Sequence, residues 1–428
     1  MPGSSFPDRA SLEAYQLARL RALLGVLLPD NVFYSRKLRT TGLDSGVASL
    51  EEFSRRAPFT LKQELVDDQV RNPPYGSNLT FPLERYTRFN QTSGTAGEPL
   101  RWLDTPESWS WMLDNWALVY EAAGVTAGAR IFFAFSFGPF LGFWTAFESA
   151  TRLGCLCIPG GGMRSAARLR TIIDTGATVL CCTPTYAIHL AEVADEEKID
   201  LAAVRVRTIL VAGEPGGSIP ATRAHIEKLW RGARPVDHHG MTEIGPVSYE
   251  CPRRPGRLHV IDSSFFAEVI DPQTGLAVGP GDVGELILTN LGRAGSPLLR
   301  YRTRDLVQRG PEGRCECGTY NLSLEGGILG RTDDMVVVRG VNVYPSAVED
   351  ILRACDGVAE YRVEIRTERS LPELRIQVEP RPGQDTASLE HRLETALRNA
   401  LSLRVSVSSV APGDLPRFEM KARRWVRL

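Results

Sequence analysis

The sequence predicts an α/β protein with a large N-terminal domain, built from mixed sheets, helices and an antiparallel subdomain, and a small, mobile α+β C-terminal domain. Its 428 residues exceed the size at which a single hydrophobic core stops growing. The middle of the chain alternates short apolar runs with helical patterns, and a glycine-flanked, charged segment near Gly330 precedes a second compact pattern. We therefore expect one domain at residues 1–330 and another at residues 331–428.

The first elements are predicted to be helices, because residues 11–28 repeat leucine and alanine at helical spacing and Ser49 is placed to cap a second helix. Further on, apolar runs alternate with helical patterns, which is typical of a mostly parallel sheet covered by helices. The runs lie at 131–135, 178–182 and 208–212, and the helical patterns lie at 164–175, 186–198 and 219–229.

Two further patterns complete the predicted fold. Short strands broken by Pro-Gln-Thr-Gly and Gly-Pro-Gly-Asp turns at residues 265–307 predict the antiparallel subdomain. From Met335 onward the pattern is strand, helix, strand, strand, helix and strand, which predicts the small C-terminal domain.

Composition excludes several classes of protein. The chain has 50 lysine and arginine residues against 51 aspartate and glutamate residues, so its net charge of -1 creates no field for nucleic acid or an anionic membrane. Its apolar stretches are interrupted, its N-terminus shows no basic and apolar leader, and eight cysteines in so long a chain do not indicate a disulfide scaffold. We expect a cytoplasmic protein with reduced thiols and with neither nucleic-acid nor membrane partners.

The strongest local motif is a turn rich in hydroxyl groups and glycine, Gln91-Thr92-Ser93-Gly94-Thr95-Ala96-Gly97-Glu98-Pro99. Glycine permits a close approach of the backbone, and N–H and hydroxyl groups donate hydrogen bonds to phosphate. The Gly-Lys-Ser/Thr ending of a Walker A loop is absent. By composition alone the turn is either a phosphate cradle or an ordinary surface loop.

Three later motifs, in this order along the chain, favour the phosphate-binding interpretation of the turn. They are His239-Gly240-Met241-Thr242-Glu243, Tyr301-Arg302-Thr303-Arg304-Asp305 and Gly330-Arg331-Thr332-Asp333-Asp334. With the turn, they resemble the core motifs of the adenylate-forming superfamily, and in particular its phenylacetate-CoA ligase branch. The resemblance continues through residues 339–346 to Leu415-Pro416-Arg417 and Lys421 near the end of the chain.

The resemblance implies a role for each motif in binding ATP. Thr92, Ser93, Gly94, Thr95 and Gly97 would hold the β- and γ-phosphates. Glu243 would bind Mg2+, which prefers carboxylate oxygen, and Thr242 would contact the α-phosphate. The remaining nucleotide-binding residues would be Gly213, Glu214, Pro215, His239, Gly240 and Met241 around adenine, Asp305 on the ribose hydroxyls, and Arg331.

Two residues would serve the catalytic cycle rather than binding alone. Lys421 would stabilise the charge that develops when the carboxylate attacks the α-phosphate. Asp333 matches the hinge about which the C-terminal domain rotates between the two steps. From the residues alone, Lys421 is equally an ordinary cation in a basic tail, and Asp333 is equally part of a polar linker.

The sequence departs from the family pattern at three positions. His239 stands where an aromatic residue usually packs on adenine, Arg304 replaces the glycine before the ribose aspartate, and Met420 replaces a glycine beside the lysine. None of these changes removes a charge that the mechanism requires.

Aromatic residues crowd the segment from Phe132 to Trp144, in which Gly138, Pro139 and Gly142 also lie. In the family this segment borders the acid, so we expect a flat apolar acid such as phenylacetate, benzoate or anthranilate. Phe135, Phe140 and Ile244 are the predicted pocket walls. Packing in the core is the alternative for any one of these rings.

Cys251, His259, Cys315 and Cys317 form a candidate structural zinc site with three sulfur ligands and one nitrogen ligand. The Cys-x-Cys spacing is less diagnostic than paired Cys-x-x-Cys, but similar cysteines bind a metal in members of the branch. Such a site would hold loops together and take no part in the reaction.

The resemblance therefore implies an aryl-acid CoA ligase that uses ATP, Mg2+ and coenzyme A. Two alternatives stay open: an adenylation enzyme that loads a carrier protein, and a nucleotide-binding protein without catalysis. A homodimer is also open, because no interface can be read from the sequence.

Overall fold

A computed structural model describes residues 6–43, 46–92, 99–333, 336–338, 341–368, 371–401, 403–418 and 424–428. Four helices open the chain, and the predicted cap at Ser49 is present, where its hydroxyl accepts a hydrogen bond from the backbone of Glu52. Their apolar faces, including Leu20 and Phe53, pack on the antiparallel sheet described below. The helices are α1 (Arg9–Leu27), α2 (Val32–Leu38), α3 (Leu50–Arg56) and α4 (Lys62–Arg71).

The middle of the chain forms the predicted parallel sheet with its helices. Its five strands lie in the order β4-β3-β5-β6-β7, and all neighbouring pairs are parallel. Parallel strands place their carboxyl ends at one edge, where ligands bind in open α/β sheets. The strands are β3 (Arg130–Phe133), β4 (Leu156–Pro159), β5 (Val179–Cys182), β6 (Thr208–Val211) and β7 (Arg234–Asp237). The helices are α5 (Pro106–Ala122), α6 (Leu141–Leu153), α7 (Ser165–Asp174), α8 (Pro184–Glu196) and α9 (Pro220–Leu229).

The antiparallel subdomain is a six-stranded sheet in the order β10-β11-β15-β14-β13-β12. Two short hairpins, β1 with β2 and β8 with β9, accompany it. The hairpin strands are β1 (Arg88–Gln91), β2 (Arg101–Asp104), β8 (Gly240–Met241) and β9 (Gly245–Pro246). The sheet strands are β10 (Ser248–Glu250), β11 (Arg257–Val260), β12 (Phe265–Ile270), β13 (Val283–Asn290), β14 (Tyr301–Arg309) and β15 (Ser323–Arg331). The predicted boundary at residue 330 thus falls at the end of β15.

The C-terminal part has its own apolar core, with Val348, Ile376 and Leu393 fully buried in it. Its four-stranded sheet has the order β20-β19-β18-β21. The sequence predicted one strand before the first helix and one after the last, whereas the described residues form a hairpin before the helix and two strands after it. The elements are β16 (Val336–Val338), β17 (Val341–Val343), α10 (Pro345–Ala354), β18 (Val358–Glu368), β19 (Leu371–Pro380), α11 (Thr386–Leu401), β20 (Ser406–Ser409) and β21 (Trp425–Arg427).

Within the described ranges, no helix combines the length and the apolar character that crossing a membrane requires.

Candidate active site

The centre of the site is a tight turn between β8 and β9 that carries Thr242 and Glu243. Gly240 pairs with Pro246 and Met241 pairs with Gly245, so the strands hold only three residues between them. Gly245 has φ +101°, and a Cβ there would lie 3.2 Å from the Met112 sulfur, so this turn needs glycine for its conformation and its packing.

A buried ion pair fixes the backbone of this turn. Arg293 and Asp104 are both fully buried, and two hydrogen bonds of 2.6 Å join the guanidinium to the two carboxylate oxygens. Nη1 of Arg293 also donates to the carbonyl oxygens of Thr242 at 2.8 Å and Glu243 at 2.9 Å. Because the guanidinium is planar and rigid, the carboxylate on one side sets the position of both carbonyls on the other.

Two side chains from distant parts of the chain reach the carboxylate of Glu243. Tyr301 donates its hydroxyl hydrogen to Oε1 at 3.4 Å, and Nζ of Lys62 lies 3.0 Å from the same oxygen. Burial, with the nearby Glu243 charge, raises the pKa of Tyr301 well above its ordinary value, so the hydroxyl stays protonated and donates. The Glu243 side chain thus has a hydroxyl donor and a cation beside it, a setting that suits a metal and phosphates.

Lys62 is a residue that sequence reasoning missed. It begins α4 and its side chain is 44% exposed, so by pattern it is an ordinary surface lysine. Just before α4, Thr60 pairs with Tyr301 at the start of β14, and this contact places the Lys62 ammonium beside Glu243.

The proposed ribose site brings three predicted residues together. Oδ2 of Asp305 lies 3.0 Å from Nε2 of His239, and Oδ1 of Asp305 accepts a hydrogen bond of 3.4 Å from Nη1 of Arg331. The other ring nitrogen of His239, Nδ1, is buried and has no hydrogen-bond partner among the residues that the structure describes. Such an orphaned nitrogen fits a site completed by a ligand.

Arg304 occupies its unusual position by adopting the backbone conformation that favours glycine, with φ +65°. Its guanidinium then turns toward Asp333, where Nη1 lies 3.3 Å from Oδ2. Arg331 also binds Asp333, through Nε at 2.9 Å and Nη2 at 3.2 Å. Burial opposes ionisation of Asp333, but the two arginines outweigh it and hold the pKa of this carboxyl below its ordinary value.

The predicted adenine turn, Gly213-Glu214-Pro215, follows β6 at the carboxyl edge of the parallel sheet. Gly213 has φ +95°, and Oε1 of Glu214 accepts a hydrogen bond of 2.9 Å from the backbone of Thr185. Thr185 lies in the first turn of α8, so the helix and the adenine turn support each other.

Several predicted phosphate ligands lie outside the described residues: Ser93, Gly94, Thr95, Gly97 and the catalytic Lys421. Their roles stay predictions. Thr92 is described, and its hydroxyl accepts a hydrogen bond of 3.0 Å from the backbone of Leu100, across the end of the β1–β2 hairpin.

The aromatic segment follows β3 at the same carboxyl edge. Phe135 stacks on Phe143 with ring centroids 4.1 Å apart, and Phe140 contacts the edge of Phe143 at 6.1 Å. Phe135 and Phe140 are half-buried, as pocket walls should be. Ile244, the third predicted wall, is fully buried and packs in the apolar cluster of the antiparallel sheet, apart from the cluster that Phe135 joins.

The four predicted metal ligands come together at the end of β11. Their ligand atoms all lie within 4.8 Å of one another; the Cys251 and Cys315 sulfurs are 3.8 Å apart, and the Cys317 sulfur is 3.4 Å from Nε2 of His259. A tetrahedral zinc ion with bonds of about 2.3 Å to sulfur and about 2.0 Å to nitrogen separates its ligand atoms by roughly 3.5 to 3.8 Å. The donor set therefore fits Zn2+.

Comparison with known proteins agrees with this geometry. Residues 88–292 match the AMP-binding enzyme family and residues 340–427 match the AMP-binding enzyme C-terminal domain. The chain is 32% identical to phenylacetate-coenzyme A ligase of Thermus thermophilus, over 96% of this chain and 95% of that protein.

Among solved structures, two states of 2-hydroxyisobutyryl-CoA ligase differ in their likeness to the chain. The postadenylation state with 2-HIB-AMP gives a TM-score of 0.93 at 27% identity, covering 100% of this chain and 94% of that one. The thioesterification state with 2-HIB-AMP and CoA gives 0.74 at 29% identity, covering 99% and 91%.

The fold and the site define an adenylate-forming enzyme of two domains. The chain belongs to the phenylacetate-CoA ligase family. It is an acid–CoA ligase: it activates a carboxylic acid with ATP and Mg2+ to the acyl-AMP and transfers the acyl group to coenzyme A. The predictions of the superfamily and the fold class are confirmed.

We expect Arg293→Met to impair use of the metal, because the turn that carries Glu243 loses both carbonyl contacts and Asp104 stays buried without a partner. Removing one member of a buried pair costs about 3 to 5 kcal/mol of folding stability. The measurement is the Mg2+ concentration that gives half-maximal pyrophosphate release, together with thermal unfolding.

Arg300→Met is the matched control, because buried Arg300 pairs with half-buried Glu268 but donates to neither carbonyl of the turn. Both variants should be less stable, and only Arg293→Met should need several-fold more Mg2+. An equal Mg2+ requirement in the two variants would refute the positioning role of Arg293.

Proposed function

We propose that the chain activates an aromatic carboxylic acid, of the phenylacetate, benzoate or anthranilate type, and transfers it to coenzyme A. The observation that carries this proposal is the group of half-buried rings at the carboxyl edge of the parallel sheet, where Phe135 and Phe143 are stacked. Flat apolar rings bind well between aromatic side chains. The names of the curated relatives support the same class of acid.

In the first half-reaction, a carboxylate oxygen attacks the α-phosphorus of ATP, the bond to the bridging oxygen breaks, and pyrophosphate leaves. Asp305, with two acceptor oxygens, is suited to orient the ribose hydroxyls. Glu243 would hold Mg2+, which neutralises phosphate oxygens when bound. Lys62 beside Glu243 and Lys421 from the C-terminal domain would supply positive charge to the pyrophosphate and α-phosphate.

Residues of the hinge prepare the second half-reaction. Arg304 and Arg331 both bind Asp333, and Arg331 also binds Asp305. We assign Asp333 as the pivot of the C-terminal domain, so that Lys421 leaves the site before coenzyme A enters. The thiol sulfur then attacks the acyl carbon, its proton passes to solvent, and AMP departs from that carbon.

We expect the wild type to release pyrophosphate with aryl acids. In Lys421→Ala the rate of release should fall by at least about a hundredfold, because a preorganised positive charge lowers the energy of such transition states substantially. A panel of phenylacetate, benzoate, anthranilate and 2-hydroxyisobutyrate, assayed with ATP and Mg2+, provides the measurement. Exposed Lys198→Ala is the control and should match the wild type.

The acceptor is tested in the same panel by supplying either free coenzyme A or a carrier protein with its phosphopantetheine arm. Thioester formed with free coenzyme A supports the proposal. Turnover only with 2-hydroxyisobutyrate would refute the aromatic substrate class, and turnover only with the carrier would refute coenzyme A as acceptor.

We further propose that Cys251, His259, Cys315 and Cys317 hold one structural Zn2+. Elemental analysis of protein purified without chelator should give one zinc per chain. Cys315→Ser should lose the metal and unfold at a lower temperature, because a filled site cross-links β11 to the loop before β15. Cys157→Ser, which alters a half-buried thiol elsewhere, should keep the metal. Absence of zinc from the wild type would dismiss the site.

A further inference from the structure

Two helices of the N-terminal domain, α8 and α9, receive the polar contacts of the C-terminal domain. Nη1 of Arg424 donates to the hydroxyl of Thr185 at 3.2 Å, and Nη2 of Arg381 lies 2.7 Å from Nε2 of His225. A third contact of the same kind is longer, with Nε of Arg417 lying 4.0 Å from a carboxylate oxygen of Glu192. Arginines of the C-terminal domain thus meet acceptors on α8 and α9, and in the opposite direction the backbone N–H of Ala221 in α9 donates to Asp350 of α10 at 3.2 Å.

We propose that Thr185 and His225 are positioning residues for adenylation: by binding Arg424 and Arg381, they hold the C-terminal domain in the orientation of the first half-reaction. The inference rests on the proposed function. It assigns to two residues outside the family motifs a task in only one of the two chemical steps.

Arg424 is a rigid part of the C-terminal domain. It is 6% exposed, and its guanidinium makes hydrogen bonds of 2.6 Å and 3.1 Å to the carboxylate of Glu360 and lies over the Tyr361 ring. Nη1 is therefore held in place, with the hydroxyl of Thr185 at 3.2 Å and a carboxylate oxygen of Glu349 farther away at 3.9 Å. Losing the hydroxyl of Thr185 would leave this buried N–H without its partner in the other domain.

The Thr185 contact connects the C-terminal domain to the nucleotide site. The backbone N–H of Thr185 donates to Glu214 in the predicted adenine turn, while its hydroxyl accepts from Arg424. Lys421 stands three positions before Arg424 in the sequence. Because three residues span at most about 11 Å, anchoring Arg424 beside the adenine turn limits how far Lys421 can lie from it.

The His225 contact requires a neutral imidazole, because only the neutral ring accepts a hydrogen bond from a guanidinium. Burial lowers the pKa of His225 to about 4, and Arg381, Arg353 and Lys228 act in the same direction. Nε2 is therefore an acceptor at neutral pH, and the contact with Arg381 is an attractive one.

These contacts belong to one domain orientation. The chain is similar to the postadenylation state of 2-hydroxyisobutyryl-CoA ligase with a TM-score of 0.93 but to its thioesterification state with only 0.74. A C-terminal domain that is turned relative to α8 and α9 cannot keep both arginines on Thr185 and His225. The contacts therefore favour the first half-reaction and must break before the second.

The test uses the double variant Thr185→Val/His225→Phe, which keeps a branched side chain at one position and a flat ring at the other but removes both acceptors. Each half-reaction is measured separately: ATP–pyrophosphate exchange with an accepted acid, and single-turnover thioester formation from the preformed acyl-adenylate with coenzyme A. Exchange should fall by about tenfold or more, because each lost bond has a charged donor, whereas thioester formation should stay the same or accelerate.

Controls separate positioning from stability. Thr171→Val/His391→Phe makes the same chemical changes at half-buried Thr171 of α7 and exposed His391 of α11 and should leave both rates unchanged. Arg381→Ala should slow exchange in the wild type but have little further effect in His225→Phe, since both changes remove one contact.

The outcomes are distinct. A wild type that exchanges pyrophosphate, with a variant slowed only in exchange, supports the inference. Equal slowing of both half-reactions, or no slowing of either, overturns it while leaving the proposed function intact. If the wild type shows no pyrophosphate exchange with any of the acids tested, the proposed function and the inference are overturned together.

Discussion

The site depends on the buried ion pair between Arg293 and Asp104. Asp104 ends β2, Arg293 follows β13, and the two carbonyls that Arg293 holds belong to the turn between β8 and β9. One guanidinium thus joins three separate pieces of backbone at a point without solvent. Burying two charges is costly unless geometry is good, and either charge left alone would be costlier still, so the pair enforces one arrangement of the turn. That arrangement sets the position of Glu243, the residue proposed to hold Mg2+ beside the phosphates.

The two domains are held together by a different kind of force. The apolar core of the C-terminal domain, which includes Val348 and Leu393, is separate from the clusters of the large domain, so neither domain needs the other to bury its core. The contacts described above between the C-terminal domain and α8 and α9 are hydrogen bonds and one long ion pair. Polar contacts exchange for water at little net cost, whereas an apolar interface would not. An enzyme with two successive reactions at one site needs this combination of a rigid turn and a releasable domain.

Much of this could be predicted from the sequence, because the signals are local. Helical spacing predicted α1, and the cap at Ser49 predicted α3. The ordered motifs assigned His239 and Asp305 to one nucleotide site, and the two side chains are in contact in the structure. The four candidate metal ligands were predicted from residue type and from the family resemblance, and their side chains meet as expected. Lys62, Arg293, Thr185 and His225 could not be found this way, since each acts through a partner far away in sequence and looks locally like a surface or core residue. Arg304 was seen as a departure, but only its positive φ explains why glycine is usual there.

The most direct test of the central claim is a crystal structure of the protein with Mg2+ and a non-hydrolysable ATP analogue. We expect a Glu243 oxygen at about 2.1 Å from Mg2+, with Lys62 moved onto phosphate oxygens. Arg293 should still bind Asp104 and the carbonyls of Thr242 and Glu243. A metal held by other residues, or a turn that shifts away from Arg293 when the nucleotide binds, would contradict that claim.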